Sequence, residues 1–270
     1  MPLNSDVPYR WQRFPHLNRS REVCVFVSYA PNGMMPEHSQ VHARAWHDAG
    51  FSVVIVLNSD TFADEMRLDG LEFASGILVR ENRGYDFGAW ASALHEMPRI
   101  RSASLVALAN DSMYGPLDTF EPMLDRARAT EGDVIGAIES WEFGRHFQSF
   151  LLFFKARALN SPAFWRFWSS VRAGGRITAV YRYELNLMPT LERAGLRCKA
   201  LFKSGDRRNP TLTRWRALID EGLPYLKVAL LRDNPFKVDI AGWEDVLHKH
   251  NYDPALAKRH LSRTSGSYVP

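Results

Sequence analysis

Cysteine is almost missing from this chain of 270 residues: Cys24 and Cys198 are its only two, far apart and each inside an apolar segment. Two buried thiols are therefore expected, and a disulfide scaffold and a CxxC metal or redox motif are excluded. Long apolar runs are missing too. The run over residues 150–154 ends after five residues, where a membrane-spanning helix needs ~20. Residues 1–21 are polar, contain proline and lack an apolar core, so no secretory signal is expected and the cytosol is the expected location. No internal repeat or low-complexity stretch occurs. Neither GxGxxG nor GxxxxGK[ST] is present, which argues against a dinucleotide oxidoreductase and a P-loop ATPase. No nucleic-acid-binding motif appears, so no nucleic-acid partner is expected.

What is there has the balance of a soluble globular protein, with 46% hydrophobic and 24% charged residues; disorder and collagen-like repeats are excluded. The length suits one large domain or two small ones. The net charge of +4 is uneven: residues 196–270 hold 14 Lys/Arg against 8 Asp/Glu, and the rest of the chain is slightly acidic. A solvated basic face, an anionic ligand and an anionic membrane surface all fit that tail.

The first half alternates strand and helix patterns. Strands are expected over residues 23–29, 51–57, 77–79, 104–109 and 133–138, and helices over 36–49, 61–68, 85–97 and 116–129. Such alternation implies βαβ units and a mostly parallel sheet. The strands read as unbroken apolar runs, as in a sheet covered on both faces. The second half adds strands over 147–155 and 196–203 and helices over 162–171, 181–194, 212–221 and 224–232. No Gly/Ser linker divides the chain. The expected organisation is an extension over 1–22, an α/β domain over 23–205, and a basic helical extension over 206–270 packed on it.

Ligands of such sheets sit beyond the carboxyl ends of the strands. Asp60 follows the second strand and can hold a ribose or a base amide; it can equally cap the next helix. After the third strand come Arg80, Glu81, Asn82, Arg83, Gly84, Tyr85 and Asp86. Gly84 permits a positive-φ turn whose amides can face a phosphate at the helix start, and Arg80 and Arg83 supply cations for it. Asp86 is either a sugar contact or a charge complementing the helix dipole. After the fourth strand, Asn110, Asp111 and Ser112 offer oxygen ligands to Mg²⁺ or Mn²⁺; turn chemistry favours the same residues. Residues 164–168, Phe-Trp-Arg-Phe-Trp, are either core or a sugar-stacking platform.

Several stretches together resemble one family. They are Glu-Asn-Arg-Gly-Tyr-Asp over 81–86, Asn-Asp-Ser over 110–112 with Tyr-Gly-Pro over 114–116, and His-Phe-Gln-Ser-Phe over 146–150. Tyr183 with Glu184, Asn-Pro-Thr over 209–211 with Trp215, and Leu-Leu-Arg-Asp-Asn-Pro over 230–235 complete the set. In this order, over about residues 23–262, they resemble the rhamnan synthesis protein F family. The resemblance implies the building of bacterial surface polysaccharide, O-antigen or lipopolysaccharide glycan among them. It also implies a GT-A-like, Rossmann-type fold with a mixed, mostly parallel sheet flanked by helices.

On that resemblance Asp60 would hold the nucleotide, and Asn82, Arg83 and Gly84 would match an Asn-x-Gly segment. Asp111 would be the last aspartate of a DxD motif whose first aspartate is missing, and would hold Mg²⁺ or Mn²⁺. Glu184 would be the general base of an inverting transfer, followed by Leu187, Leu191 and Gly195 at the family-type spacing, with Tyr183 replacing a preceding acid. Read from its residues alone, Glu184 is equally a helix-surface charge beside Arg182. His146 and Gln148 would touch donor sugar or phosphate, or His146 serves structure through a backbone carbonyl. Arg207 and Arg208 can meet a diphosphate, although Asn209-Pro210 beside them is also a turn signal.

The expected function is a glycosyltransferase, inverting and rhamnosyltransferase-like. Its expected partners are a nucleotide sugar (dTDP-L-rhamnose first), a lipid-linked glycan acceptor and the cytoplasmic face of an anionic inner membrane. The rivals are a non-catalytic module binding a glycan or a partner, and a methyltransferase on an α/β sheet; residues 30–33 hold a single glycine, a poor match to the latter.

Overall fold

The computed structural model describes residues 7–17, 22–60 and 66–264. Its strands are β1 (Tyr9–Arg13), β2 (Glu22–Tyr29), β3 (Ser52–Ser59), β4 (Gly76–Glu81), β5 (Leu105–Asn110), β6 (Met113–Tyr114), β7 (Val134–Ser140), β8 (His146–Phe147), β9 (Leu151–Lys155), β10 (Cys198–Lys203) and β11 (Leu226–Lys227). Nine form one mixed sheet in the order β1-β4-β3-β2-β5-β9-β7-β10, with β8 paired to β7; β6 and β11 form a separate pair. β2, β3, β4 and β5 are mutually parallel, as are β7 and β10. Because β9 is antiparallel to both β5 and β7, those six strands all point one way, and the sheet is mostly parallel as expected.

The apolar runs explain this placement. Every residue of β5 and β7 is buried, which requires cover on both faces. In β2, Val23, Val25 and Val27 face one apolar layer and Cys24 and Phe26 the other. The first layer holds α2 (Tyr85–Glu96), the aromatic helix Pro162–Ser170 and the helix Leu185–Arg193. Phe164, Phe167 and Trp168 are buried in it, so that aromatic stretch is core. The second layer holds α1 (Glu37–Asp48) through Trp46, and α3 (Glu121–Ala129) through Met123 and Leu124. Cys24 and Cys198 are buried, unbridged thiols.

Several expected elements differ. The segment 7–13 carries a strand, β1, antiparallel on the edge of β4; Tyr-Arg-Trp-Gln-Arg hides it because an edge strand tolerates polar residues. The expected strand 147–155 is two pieces, β8 and β9, and residues 148–150 turn into a cleft between them. The helix expected from Pro116 starts at Glu121: Asp118 has a φ of 56° and its carboxylate accepts from Asn251 and pairs with His250, so the C-terminal part holds this loop out of the helix. The helix expected over 212–221 breaks at Arg214, and the one over 224–232 is β11 followed by the helix Val228–Arg232. The helix over 181–194 begins with a π-helical turn, Ala179–Glu184. Of the helix expected over 61–68, residues 61–65 lie outside the described residues, and Arg67 bridges Met34.

A third apolar cluster joins the C-terminal part to the rest. Tyr114 and Leu117 pack with Leu212, Trp215, Leu230, Leu247 and Leu261, while Leu218, Leu223 and Tyr225 enter the second layer itself.

Candidate active site

The shared direction of β2 to β5 brings Tyr29, Ser59, Glu81 and Asn110 to one edge of the sheet. Beyond that edge opens a cleft of about 1120 Å³. Its walls include Tyr29, Asp86, Asn110, Asp111, Ser112, His146, Gln148, Ser149 and Glu184, joined from the C-terminal part by Asn209, Lys227, Arg232 and His260. Motifs that lie 100 residues apart in sequence thus share one cavity.

Asp111 is held at the end of β2. Its Oδ2 accepts from Ser28 Oγ (2.8 Å) and the Tyr29 N–H (2.7 Å), and the carboxylate also meets its own backbone N–H. Burial raises its carboxyl above the ordinary range. The Asn110 amide donates to Asp86 Oδ2 at 2.6 Å, and Asn110 Oδ1 accepts from the Ser112 N–H and hydroxyl at 3.1 and 2.7 Å. Asp86 is pushed up to about 7, first by burial and then by the negative charge of Asp111; Glu184 adds to this and Lys227 opposes it. Asp86 therefore faces the cleft beside Asp111, a role the helix-dipole explanation omits.

Glu184 ends the π-helical turn, and its Oε1 accepts from the Ser149 N–H (3.0 Å) and hydroxyl (2.9 Å). The tie fixes a half-buried carboxylate in the cleft wall and leaves Oε2 unused by these bonds. Among the described residues Glu184 makes no ion pair with Arg182; its carboxylate is held by Ser149 instead. Tyr183 is buried against Phe87 and Phe167, with its hydroxyl accepting from the Arg172 N–H at 2.8 Å. A core aromatic occupies the position where the family pattern has an acid.

Asp60 and Asn82 lie at the rim rather than in the cavity wall. Asn82 donates to Asp60 Oδ1 at 3.1 Å, and the Tyr29 hydroxyl hydrogen-bonds Oδ2, pushing the Tyr29 phenol up to about 12. Residues 61–65, where the helix that Asp60 would cap was expected to begin, lie outside the described residues. Gly84 has a φ of 80° directly before α2, as its turn requires. Arg83 is exposed beside Glu81, 3.9 Å away. Arg80 corrects the sequence reading. It is fully buried, donating to Asn58 Oδ1 (2.9 Å) and the Arg83 carbonyl (2.8 Å), so it shapes the loop from inside and is not open to phosphate.

His146 and Gln148 line the cleft but spend polar atoms on structure. His146 Nδ1 pairs with the Gly144 carbonyl (2.8 Å), its Nε2 meets Gln148 Nε2 (3.4 Å), and Gln148 Oε1 accepts from Asn209 (3.0 Å). Arg207 and Arg208 are absent from the cleft wall: Arg207 lines a neighbouring hollow and Arg208 sits 3.7 Å from Asp206. The cleft's cations are instead Lys227, Arg232 and Arg263. Sequence reading missed these three, and Ser149 and Glu142 with them. Ser149 had a signal, its place inside the 146–150 motif; Lys227 had none, since only the β11–β6 pairing turns it toward the cleft.

Among the described residues no group of three or more His, Cys, Asp or Glu can enclose a metal by itself. The donors do fit a more open arrangement. Mg²⁺ and its like commonly take one or two carboxylates and complete their shell with substrate phosphates and water. The carboxylates of Asp111 and Asp86, both in the cleft wall, supply that minimum.

The chain matches the family model described as rhamnan synthesis protein F over residues 53–269. It is 25% identical over 196 residues to an uncharacterised protein, y4gN, of Sinorhizobium fredii, covering 69% of this chain and 50% of that protein. This chain thus spans about half the length of that relative. It is 26% identical over 261 residues to virulence protein VirA of Vibrio anguillarum, covering 83% and 84% of the two chains. Among solved structures it has a slight likeness, at 11% identity and a TM-score of 0.39, to a mannosyltransferase of Pyrobaculum calidifontis in complex with GDP-Man and Mn²⁺, covering 97% of this chain and 80% of that one. The family match spans most of the chain, and residues of the motifs that carry the resemblance converge on one cleft: this protein belongs to the rhamnan synthesis protein F family.

Proposed function

We propose that the cleft performs an inverting transfer from a nucleotide sugar, with Glu184 as general base. The observation that carries this reading is the Ser149–Glu184 tie, which holds one carboxylate oxygen and leaves the other for an acceptor hydroxyl. Inversion requires one carboxylate to take the hydroxyl proton while that oxygen attacks the anomeric carbon. The bond from that carbon to the diphosphate breaks in the same displacement, and the nucleoside diphosphate leaves. Asp60, Asn82 and Tyr29 form the nucleoside end, and Asn110, Ser112, His146 and Gln148 flank the sugar and phosphates. Lys227 and Arg232 face the diphosphate and offset its charge.

Asp111, helped by Asp86, would hold Mg²⁺ or Mn²⁺, which when bound neutralises charge on the leaving diphosphate. dTDP-L-rhamnose is the first donor to test, a lipid-linked glycan the acceptor, and the anionic cytoplasmic membrane face the place of work. The basic bias of residues 196–270 fits that surface.

The test is release of nucleoside diphosphate from a panel of dTDP-, UDP- and GDP-sugars with Mn²⁺, Mg²⁺ or EDTA, read together with donor binding. We expect one donor to bind and turn over. Glu184→Gln should bind that donor normally while turnover drops ~10²–10⁴-fold. Asp111→Ala should weaken donor binding in Mn²⁺ and make it insensitive to EDTA. Failure of every donor to bind would refute the transferase reading of this cleft.

A further inference from the structure

Four large apolar side chains are exposed on two segments that border the cleft. Phe143 is 68% exposed, Ile177 75%, Tyr181 53% and Trp141 46%. Phe143 and Trp141 stand on the short turn between β7 and β8, closed by the Gly144 N–H to the Trp141 carbonyl at 3.3 Å. Tyr181 comes from the π-helical turn and its ring meets Phe143 at 5.8 Å. Ile177 lies one turn earlier. The rings have left the core of their own elements, since β7 and β8 are otherwise buried.

The charge beside these groups is mainly basic. Arg182 follows Tyr181 directly and is exposed. Arg207 lines a hollow of about 880 Å³ together with Trp141, Glu142 and Phe143. Of the nearby acids, Asp206 lies beside Arg208, and Glu142 is half-buried between the cleft and this hollow. Exposed aromatic and aliphatic groups set among arginines match the interface of an anionic bilayer, where rings sit at headgroup depth and cations meet lipid phosphates. A saccharide platform would not call for Ile177, whose side chain has no polar atom and the highest exposure of the group.

We propose that this lip docks the protein on an anionic lipid surface, with Phe143, Ile177 and Tyr181 entering the interface and Arg182 and Arg207 meeting the headgroups. The inference rests on the transferase reading, and it names the surface on which that site works. Phe143, Ala179, Val180 and Glu184 line the same cleft. A docked molecule therefore opens its cleft toward the bilayer, within reach of a lipid-linked acceptor.

The test is co-sedimentation of the full chain with vesicles of 70% phosphatidylcholine and 30% phosphatidylglycerol, against phosphatidylcholine alone. The wild type should bind the anionic vesicles. The variant F143S/I177S/Y181S should bind at least roughly tenfold more weakly, given the apolar area withdrawn, with an unchanged thermal melt. R182Q/R207Q should lose the preference for phosphatidylglycerol. F143W should bind like the wild type and be quenched further by brominated lipid. Wild-type protein that ignores the vesicles, or a folded F143S/I177S/Y181S that binds them as well as the wild type, overturns the proposal. So does binding of free oligosaccharide at this lip without vesicle binding. Nucleotide-sugar binding in solution, measured separately, decides the transferase reading independently.

Discussion

His42 shows what a single residue decides here. It is buried, faces the edge of Phe26 at a ring distance of 4.9 Å, and its Nε2 pairs with the Tyr225 hydroxyl at 2.9 Å. Burial holds its imidazole down at about 3. In the unfolded chain it takes a proton near its ordinary value of about 6.5, so between those values the unfolded state binds more protons. Stability is therefore full above pH 6.5 and falls as the pH drops toward 3. His42 should contribute about 2 kcal/mol of loss between pH 7.5 and pH 5. Urea unfolding should show that His42→Phe is less stable at pH 7.5, having lost the tyrosine's partner, yet loses about 2 kcal/mol less on acidification. An equal loss in both proteins would remove His42 from the account.

Ser149 belongs to the same scale. Its hydroxyl supplies one of the two donors on Glu184 Oε1, so Ser149→Ala should loosen the carboxylate without deleting it. We expect kcat to fall about tenfold with donor KM unchanged, read by nucleoside diphosphate release; a matching rise in KM would point to donor contact instead. The sequence singled out Glu184 through its family-type spacing to Leu187, Leu191 and Gly195, and the structure places it in the cleft wall. Its partner was not singled out, because the Ser149–Glu184 tie spans 35 residues and requires β9 to lie beside β7.

Among the elements, the turn from β4 into α2 is the most demanding. Gly84 has a φ of 80°, and a Cβ there would lie 3.2 Å from the Cα of Ala173. Gly84→Ala meets both backbone strain and a wall, and should cost at least about 1 kcal/mol in urea unfolding. It should also weaken donor binding, since Asp86 stands two residues further on. The sequence marked this turn correctly because glycine is chemically conspicuous. It misassigned Arg80, because a buried guanidinium and a phosphate ligand have the same letter and only burial separates them. It also merged β8 and β9, since Phe147 and Phe150 make the stretch look continuous while Gln148 and Ser149 turn toward the cleft.

At the scale of the whole molecule the C-terminal part is built into the rest. Tyr225, Leu218 and Leu223 fill the second apolar layer, β11 pairs with β6, and Arg259 bonds Glu37 at 2.9 Å. Lys227 and Arg232 come to the cleft from the same part. A chain ending at residue 205 should therefore lose its cooperative thermal transition by circular dichroism rather than merely lose activity. A sharp, near-normal melt for that fragment would show the part to be dispensable for folding.

Local chemistry determined the strand and helix alternation, the positions of the loops at the strand ends, and the residues of the family motifs, because apolar periodicity and turn residues act over a few neighbours. The mostly parallel sheet followed from that alternation. Tertiary structure alone decided which of those residues face one another: Asp86 toward Asp111, Ser149 onto Glu184, Arg80 into the core, Lys227 into the cleft, and the aromatic lip out of it. Those outcomes depend on strand order and on burial. Both are set by how whole layers of side chains pack across the sheet, which no short stretch of sequence contains.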